Sequence, residues 1–220
     1  TKGSAKGEWI MPQPLSRSLP ENLAYLQKSF GASGDFYAKE LAISGIRCAI
    51  VMFTGLSSPE KLCHLALEML DRDPVMLGGS EGLCDYLLTQ SLAPAEPRPV
   101  EDWQTFTRML SNGMTLLLID GCARAVMFST QEMPQRSIGT PSGEGNMRGS
   151  QEAFTELLRN NLSLLRRQFR SGTLVAEIAT ARTRAQTEYC LCYDSRLAPR
   201  ETVDALREQL AQIELPVLLD

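Results

Sequence analysis

The chain has 220 residues, 43% hydrophobic and 22% charged, with Lys+Arg 22 against Asp+Glu 26 for a net charge of −4. This composition suits one large core or two modest ones and excludes wholesale disorder, while the acidic balance argues against a nucleic-acid partner. The longest clean apolar run, Met114 to Ile119, is far short of the ~20 residues of a spanning helix. No signal peptide opens the chain and its first residue is Thr rather than Met, so it reads as a soluble piece of a larger protein.

Residues 1–14 are polar and Gly-rich and read as a flexible lead-in. Ser18-Leu-Pro-Glu21 then offers a capping box with proline in the first turn, a strong helix start. Leu19, Leu23, Leu26 and Phe30 supply that helix's apolar stripe, and Gly31 stops it. Strands Phe36 to Ile43 and Arg47 to Thr54 follow, joined at Ser44-Gly45 as a hairpin. A second helix starts at Ser58-Pro59-Glu60 and carries Leu62, Leu65, Ala66 and Met69. Gly78-Gly79 breaks the chain before a helix at Glu81 to Gln90, and Ala93 to Pro99 reads as a linker.

Beyond the linker, Glu101 to Ser111 is helical in pattern, with Trp103, Phe106 and Leu110 on one side. Thr115 to Asp120 and Ala123 to Ser129 are strands around the Asp120-Gly121 turn. Ser137 to Asn146 is a turn-rich loop, and Met147 to Phe169 is a helix with its Arg-Gly lead-in. Strands Thr173 to Ala181 and Thr187 to Asp194 and a helix begun at Ala198-Pro199-Arg200-Glu201 close the chain.

An internal repeat is visible without any outside reference. Asn22-Leu-Ala-Tyr-Leu26-Gln-Lys-Ser-Phe30 aligns with Asn161-Leu-Ser-Leu-Leu165-Arg-Arg-Gln-Phe169. Helix, hairpin, helix occurs twice at a spacing that grows by one residue. The expected fold class is therefore α/β (α+β mixed), made of two related small subdomains with flanking helices. The expected boundaries are 15–92 for the first, 93–100 for the linker and 101–220 for the second.

On the Met147 to Phe169 helix, Phe154, Leu157, Leu158, Leu162, Leu165 and Phe169 form the expected buried face. Glu152, Glu156, Arg159, Ser163, Arg166 and Arg170 form the opposite, solvated face, with Glu156 and Arg159 as a local pair. A sharper reading makes that charged face a docking surface for an acidic partner or anionic headgroups. Arg148-Gly149, with Arg136 converging, offers an anion site at a helix start; the simpler role is a salt bridge from Arg148 to Glu152.

Catalysis finds little support. His64 is the lone histidine, so nucleophile activation has one residue to draw on. Asp120 and Asp194 end strands, and turn formation is a sufficient reason for Asp120. Of the six cysteines, only Cys190-Leu191-Cys192 is a close pair, placed on one face of a strand. No zinc spacing or phosphate loop is present; no metal and no cofactor are expected, and the thiols suit a reducing, intracellular setting.

The chain resembles the A subunit of GerA-type spore germinant receptors. Arg148-Gly149, Glu152, Phe154-Thr155-Glu156, Leu158-Arg159, Asn161 and Leu164-Leu165-Arg166-Arg167 fit that family's V-R-G-P-R-E-G-F-T-E-x-L-R-x-N-x-x-L-L-R-R-R-I pattern. Ser18-Leu19, Glu21-Asn22-Leu23, Phe30-Gly31, Ser33 and Asp35-Phe36 resemble its opening, and Leu118-Ile119-Asp120-Gly121 and Pro134, Arg136-Ser137-Ile138 two later motifs. Thr140-Pro141 departs from the family's Glu-Pro.

The resemblance implies a non-enzymatic cytosolic N-terminal domain at the spore inner membrane, followed after residue 220 by a membrane domain. Its role would be receptor assembly and signal relay in nutrient-triggered germination. It further implies receptor B and C subunits and other copies of the A subunit as partners, and no nucleic acid. The candidate interface or anion-binding residues are Arg136, Arg148, Gly149, Glu152, Glu156, Arg159, Asn161, Arg166 and Arg167. The alternative is a module binding a nutrient or ion in a cleft between the subdomains. A sporulation-stage paralogue serving another channel is a third reading.

Overall fold

The computed structural model describes residues 13–57, 78–90, 96–131, 154–183 and 186–213. The expected helix after Ser58, with Cys63 and His64, and the candidate residues Arg136, Arg148, Gly149 and Glu152 lie outside the described residues.

The chain is mixed α/β, with antiparallel sheets. Helix α1 (Leu19–Phe30) leads into the hairpin of β1 (Phe36–Ile43) and β2 (Ile46–Phe53). Ser44 and Gly45 both take positive φ, 48° and 74°, the turn whose twist matches the flanking strands. Helix α2 (Gly79–Thr89), strand β3 (Arg98–Val100), helix α3 (Trp103–Ser111) and strands β4 (Thr115–Ile119) and β5 (Ala125–Phe128) follow. The five strands form one sheet in the order β1-β2-β4-β5-β3. The sheet therefore crosses the expected 93–100 linker, and Arg98–Val100 within it is an edge strand paired with β5. An edge is where a proline such as Pro99 can sit, because its missing N–H can face away from the ladder.

Helices α1 and α3 cover one face of this sheet. Leu19, Leu26 and Phe30 meet Phe106, Leu110 and the strand residues Val51 and Phe53 there. Helix α2 covers the other face with Leu83, Cys84 and Leu87 against Cys48, Leu117 and Val126. Both faces are apolar, so β4 and β5 are buried at every position.

The second unit is thinner. Helix α4 (Leu158–Gln168) precedes the hairpin of β6 (Leu174–Thr180) and β7 (Glu188–Asp194), and helix α5 (Arg200–Ala211) follows. An isolated two-stranded ribbon is marginal in water, and α5 buries only Val203. Both hydrophobic clusters of the described residues belong to the first unit.

The repeat is structural. Phe36 pairs with Phe53 as Val175 pairs with Tyr193, so strand registers superpose and the extra residue falls in the second hairpin's longer turn. Each copy also enters its first helix through the same clamp. Asn22 Oδ1 accepts from Ser16 N at 3.0 Å and its Nδ2 donates to Ser16 O at 2.7 Å. Asn161 binds Thr155 N and O in the same way, both at 2.6 Å. Ser16 Oγ and Thr155 Oγ1 then accept from Ser18 N and Leu157 N.

The capping box expected at Ser18 does not form, since Ser18 makes no side-chain cap. Asp120, brought over from the end of β4, accepts from Leu19 N at 3.0 Å, and Glu21 instead accepts from Ser16 Oγ.

Candidate functional site: a buried arginine joint and an outward apolar face

Helix α4 keeps its sequence pattern only in part: Leu158 and Leu165 are half-buried and Arg159 is exposed, and the departures within the helix are Ser163 and Arg166. Ser163 and Arg166, expected on the solvated face, are buried, Arg166 with only 2% exposed. Of the expected buried face, Leu162 alone is fully inside, while Phe154 and Leu157 are 64% exposed and Phe169 is 58% exposed. The first copy makes the contrast plain: Leu15, Leu19, Leu26 and Phe30, counterparts of Phe154, Leu158, Leu165 and Phe169, are all buried. Where the first copy has exposed Ala24 and Gln27, the second has Ser163 and Arg166.

Those two substitutions supply the donors that tie the helix to the first unit. Arg166 Nε and Nη2 bind Asp35 Oδ2 and Oδ1 at 2.5 and 2.7 Å, Nη2 also reaches Ser33 Oγ at 2.7 Å, and Nη1 reaches Leu174 O at 2.9 Å. The guanidinium lies 3.9 Å over the Phe53 ring, within the Phe30–Phe36–Phe53 aromatic cluster. A planar fork, rather than a point charge, is what this set of acceptors requires.

The loop carrying Ser33 and Asp35 also docks on the second sheet's backbone. Gly34 N donates to Ala176 O at 2.8 Å and Ala176 N to Ser33 Oγ at 3.0 Å. Nearby, Ser163 Oγ donates to Gly55 O at 3.0 Å. Gly55 has φ +88°, and a Cβ there would fall 2.7 Å from Ser163 Oγ, so both conformation and approach require glycine.

The other candidates separate by role. Asn161 is the helix-entry clamp. Glu156 and Arg159 are exposed and no ion pair joins them; helix α4 begins only at Leu158, so Glu156 precedes it. Arg167 is half-buried, and its Nε has no hydrogen-bond partner among the described residues. Asp120 pairs with Arg47 at 2.5 Å as well as capping α1, and the Leu19 amide and then Arg47 hold it below the usual carboxylate range. Asp194 accepts from Thr173 Oγ1 and Arg196 N, a turn role.

Cys190 and Cys192 lie with sulfurs 3.4 Å apart. Their mutual hydrogen bond raises Cys190 and lowers Cys192, the Arg166 charge assisting at Cys192. A shallow groove of about 360 Å³ lies between α1 and β1, lined by Leu23, Ala24, Gln27, Phe36, Ala38 and Glu40. It belongs to the first unit, not to a cleft between the repeats. Among the described residues no helix is long and apolar enough to cross a membrane, and no cluster of three or more His, Cys, Asp or Glu side chains could hold a metal.

Two modules joined by a buried ion pair define a duplicated α/β domain of a kind already seen. The N-terminal domain of the A subunit of the Bacillus megaterium spore germinant receptor GerK3 has the same fold, with a TM-score of 0.70 at 21% identity over 92% of this chain and 74% of that one. The chain belongs to the Bacillus/Clostridium GerA spore germination protein family, whose model matches residues 24–220.

It is 25% identical over 212 residues to spore germination protein KA of Bacillus subtilis (strain 168), covering 95% of this chain and 39% of that protein. It is 24% identical over 208 residues to spore germination protein GerLA of Bacillus cereus, covering 94% and 42%. Stage V sporulation protein AF of Bacillus subtilis (strain 168) matches at 23% over 190 residues, covering 84% and 37%. The chain thus spans about two fifths of these relatives' length.

Proposed function

We propose that the chain is the non-enzymatic, cytosol-facing N-terminal domain of a spore germinant receptor A subunit, acting in receptor assembly and signal relay. Its partners are the B and C subunits and further copies of the A subunit, at the spore inner membrane. Family membership supports the receptor assignment. The observation carrying the assembly role is the exposure of large apolar side chains at the two ends of α4, Phe154 and Leu157 before it and Phe169 after it. Phe154, Leu157 and Phe169, with Leu197 and Leu206 beyond them, give the second unit an apolar exterior of the sort that marks contact surfaces. A rigid joint beneath that surface suits relay, because displacement of the second unit is carried to the first through Arg166 and Asp35.

Replacing Phe154, Leu157 and Phe169 together by Ser tests this. In the isolated chain the exposed positions should change stability little, about 0.5 kcal/mol per site or less. In the full-length protein the same variant, and separately Arg167→Glu, should reduce recovery of the B subunit with the A subunit and slow germination. Unchanged complex and unchanged germination in both would overturn the assembly role.

A further inference from the structure

We propose that Cys190 and Cys192 form a two-thiolate chelating site for a soft divalent metal ion of the zinc and cadmium class. The Cys-Leu-Cys pattern on β7 places both side chains on one face, and the structure sets their sulfurs 3.4 Å apart. Both are half-buried and hence reachable, whereas the free thiols of Cys48, Cys84 and Cys122 are buried.

Distance separates chelation from disulfide formation. Residues two apart on a strand have Cα atoms about 6.6–6.8 Å apart, the upper limit of the disulfide range, and the sulfurs would have to close to about 2.05 Å. A tetrahedral ion with metal–sulfur bonds of about 2.3 Å instead needs sulfurs about 3.8 Å apart. Opening the pair by about 0.4 Å is within small side-chain rotations. The continuous ladder from Leu174↔Asp194 to Thr180↔Glu188 holds β7 extended and so maintains the chelating separation.

The surroundings fit an open, exchangeable site. Across the ladder the facing partners are Ala176 and Ile178, which offer no competing donor. The Asp35–Arg166 pair exerts its charge on both sulfurs, but its polar atoms are committed to each other, to Ser33 and to Leu174 O. Two coordination positions are therefore left to water or an added ligand. Binding balances as one M²⁺ replacing two thiol protons, which are released to solvent.

The test is titration of the reduced, anaerobic 220-residue chain with Cd²⁺, following the ultraviolet thiolate-to-metal charge-transfer band and the protons released. The expected result is a band saturating at one Cd²⁺ per chain with two protons released. Cys190→Ser and Cys192→Ser should each weaken binding by roughly tenfold or more, about 1.4 kcal/mol, with unchanged circular dichroism. Cys48→Ala and Cys84→Ser should leave it as it was. A band that survives in the Cys190→Ser/Cys192→Ser double variant overturns the proposal, as does its absence from the parent chain. So does metal-free air oxidation that removes the Cys190 and Cys192 thiols together, since the pair would then close as a disulfide.

Discussion

Replacing Arg166 by Met keeps side-chain length and removes the charge from the joint. Asp35, 2% exposed, is then left with Ser33 Oγ at 2.8 Å but no counter-charge, and Leu174 O loses its donor. Breaking one side of a buried ion pair costs about 3–5 kcal/mol, against a total domain stability of about 5–15 kcal/mol. At about 2–4 °C per kcal/mol for a chain of this size, the midpoint should fall by roughly 6–20 °C. Asp35→Asn should cost a similar amount. The double variant should cost less than the two singles added, because it no longer buries an isolated charge. Urea and thermal denaturation give these values. Amide exchange at β6 locates the damage: Ala176 N should exchange faster while β2 and β4 remain protected. An Arg166→Met chain within about 1 kcal/mol of the parent, or strict additivity in the double variant, would refute the joint as the element that fixes the second unit.

The two helix-entry clamps give an internal control: Asn22→Ala and Asn161→Ala should each cost about 1–2 kcal/mol in urea denaturation. Asn22 should cost more because it is 3% exposed, and no loss at either site would refute the clamp. Acid should also destabilise the fold. Neighbouring donors hold Asp120, Glu81, Glu177 and Asp194 below the ordinary carboxylate range, the Leu19 amide leading at Asp120 and Arg124 at Glu81. Their lowered folded values mean the unfolded chain binds more protons, so their contribution is full above the unfolded pKa of about 4. It is lost as pH falls through the folded values. The urea midpoint should drop below about pH 4, and Asp120→Asn should flatten that drop; an unchanged slope would reject Asp120 as a contributor.

Most elements are legible from local chemistry. The Ser44-Gly45 hairpin, the strands flanking Asp120-Gly121 and the helix stopped by Gly31 all follow from turn residues and apolar spacing. Even the repeat is readable, down to the inserted residue. What periodicity cannot show is which side of a helix meets protein. The α4 pattern announces an apolar face, and its leucines are buried or half-buried, but Arg166 is also drawn inward because its acceptor is Asp35, 131 residues away. A signal was present: Ala24 and Gln27 become Ser163 and Arg166 between otherwise matching copies, and Ser33 and Asp35 lie in a motif with no assigned role. Strand β3 was illegible because three residues containing a proline, Arg98–Val100, carry no alternation, and only the free edge beside β5 makes them a strand.

The substitutions that build the joint also explain the outward apolar face. In the first copy, Leu19, Leu26 and Phe30 bury against a sheet extended by β4 and β5 and covered by α3, all supplied by residues 103–128. Among the described residues the second copy has no such extension, because its sheet stops at β7. With no described element to cover that stripe fully, α4 bonds Ser163 and Arg166 to the first unit, leaves Leu158 and Leu165 half-buried, and has Phe154, Leu157 and Phe169 exposed at its two ends. Had the repeat diverged only by losing its extra strands, α4 would have no fixed place. A buried ion pair costs desolvation but fixes geometry, which a domain needs if its exposed apolar side is to meet a partner in one orientation. On this reasoning Arg166→Met should impair receptor assembly although it touches no partner. Phe154→Ser should impair assembly while leaving the joint intact.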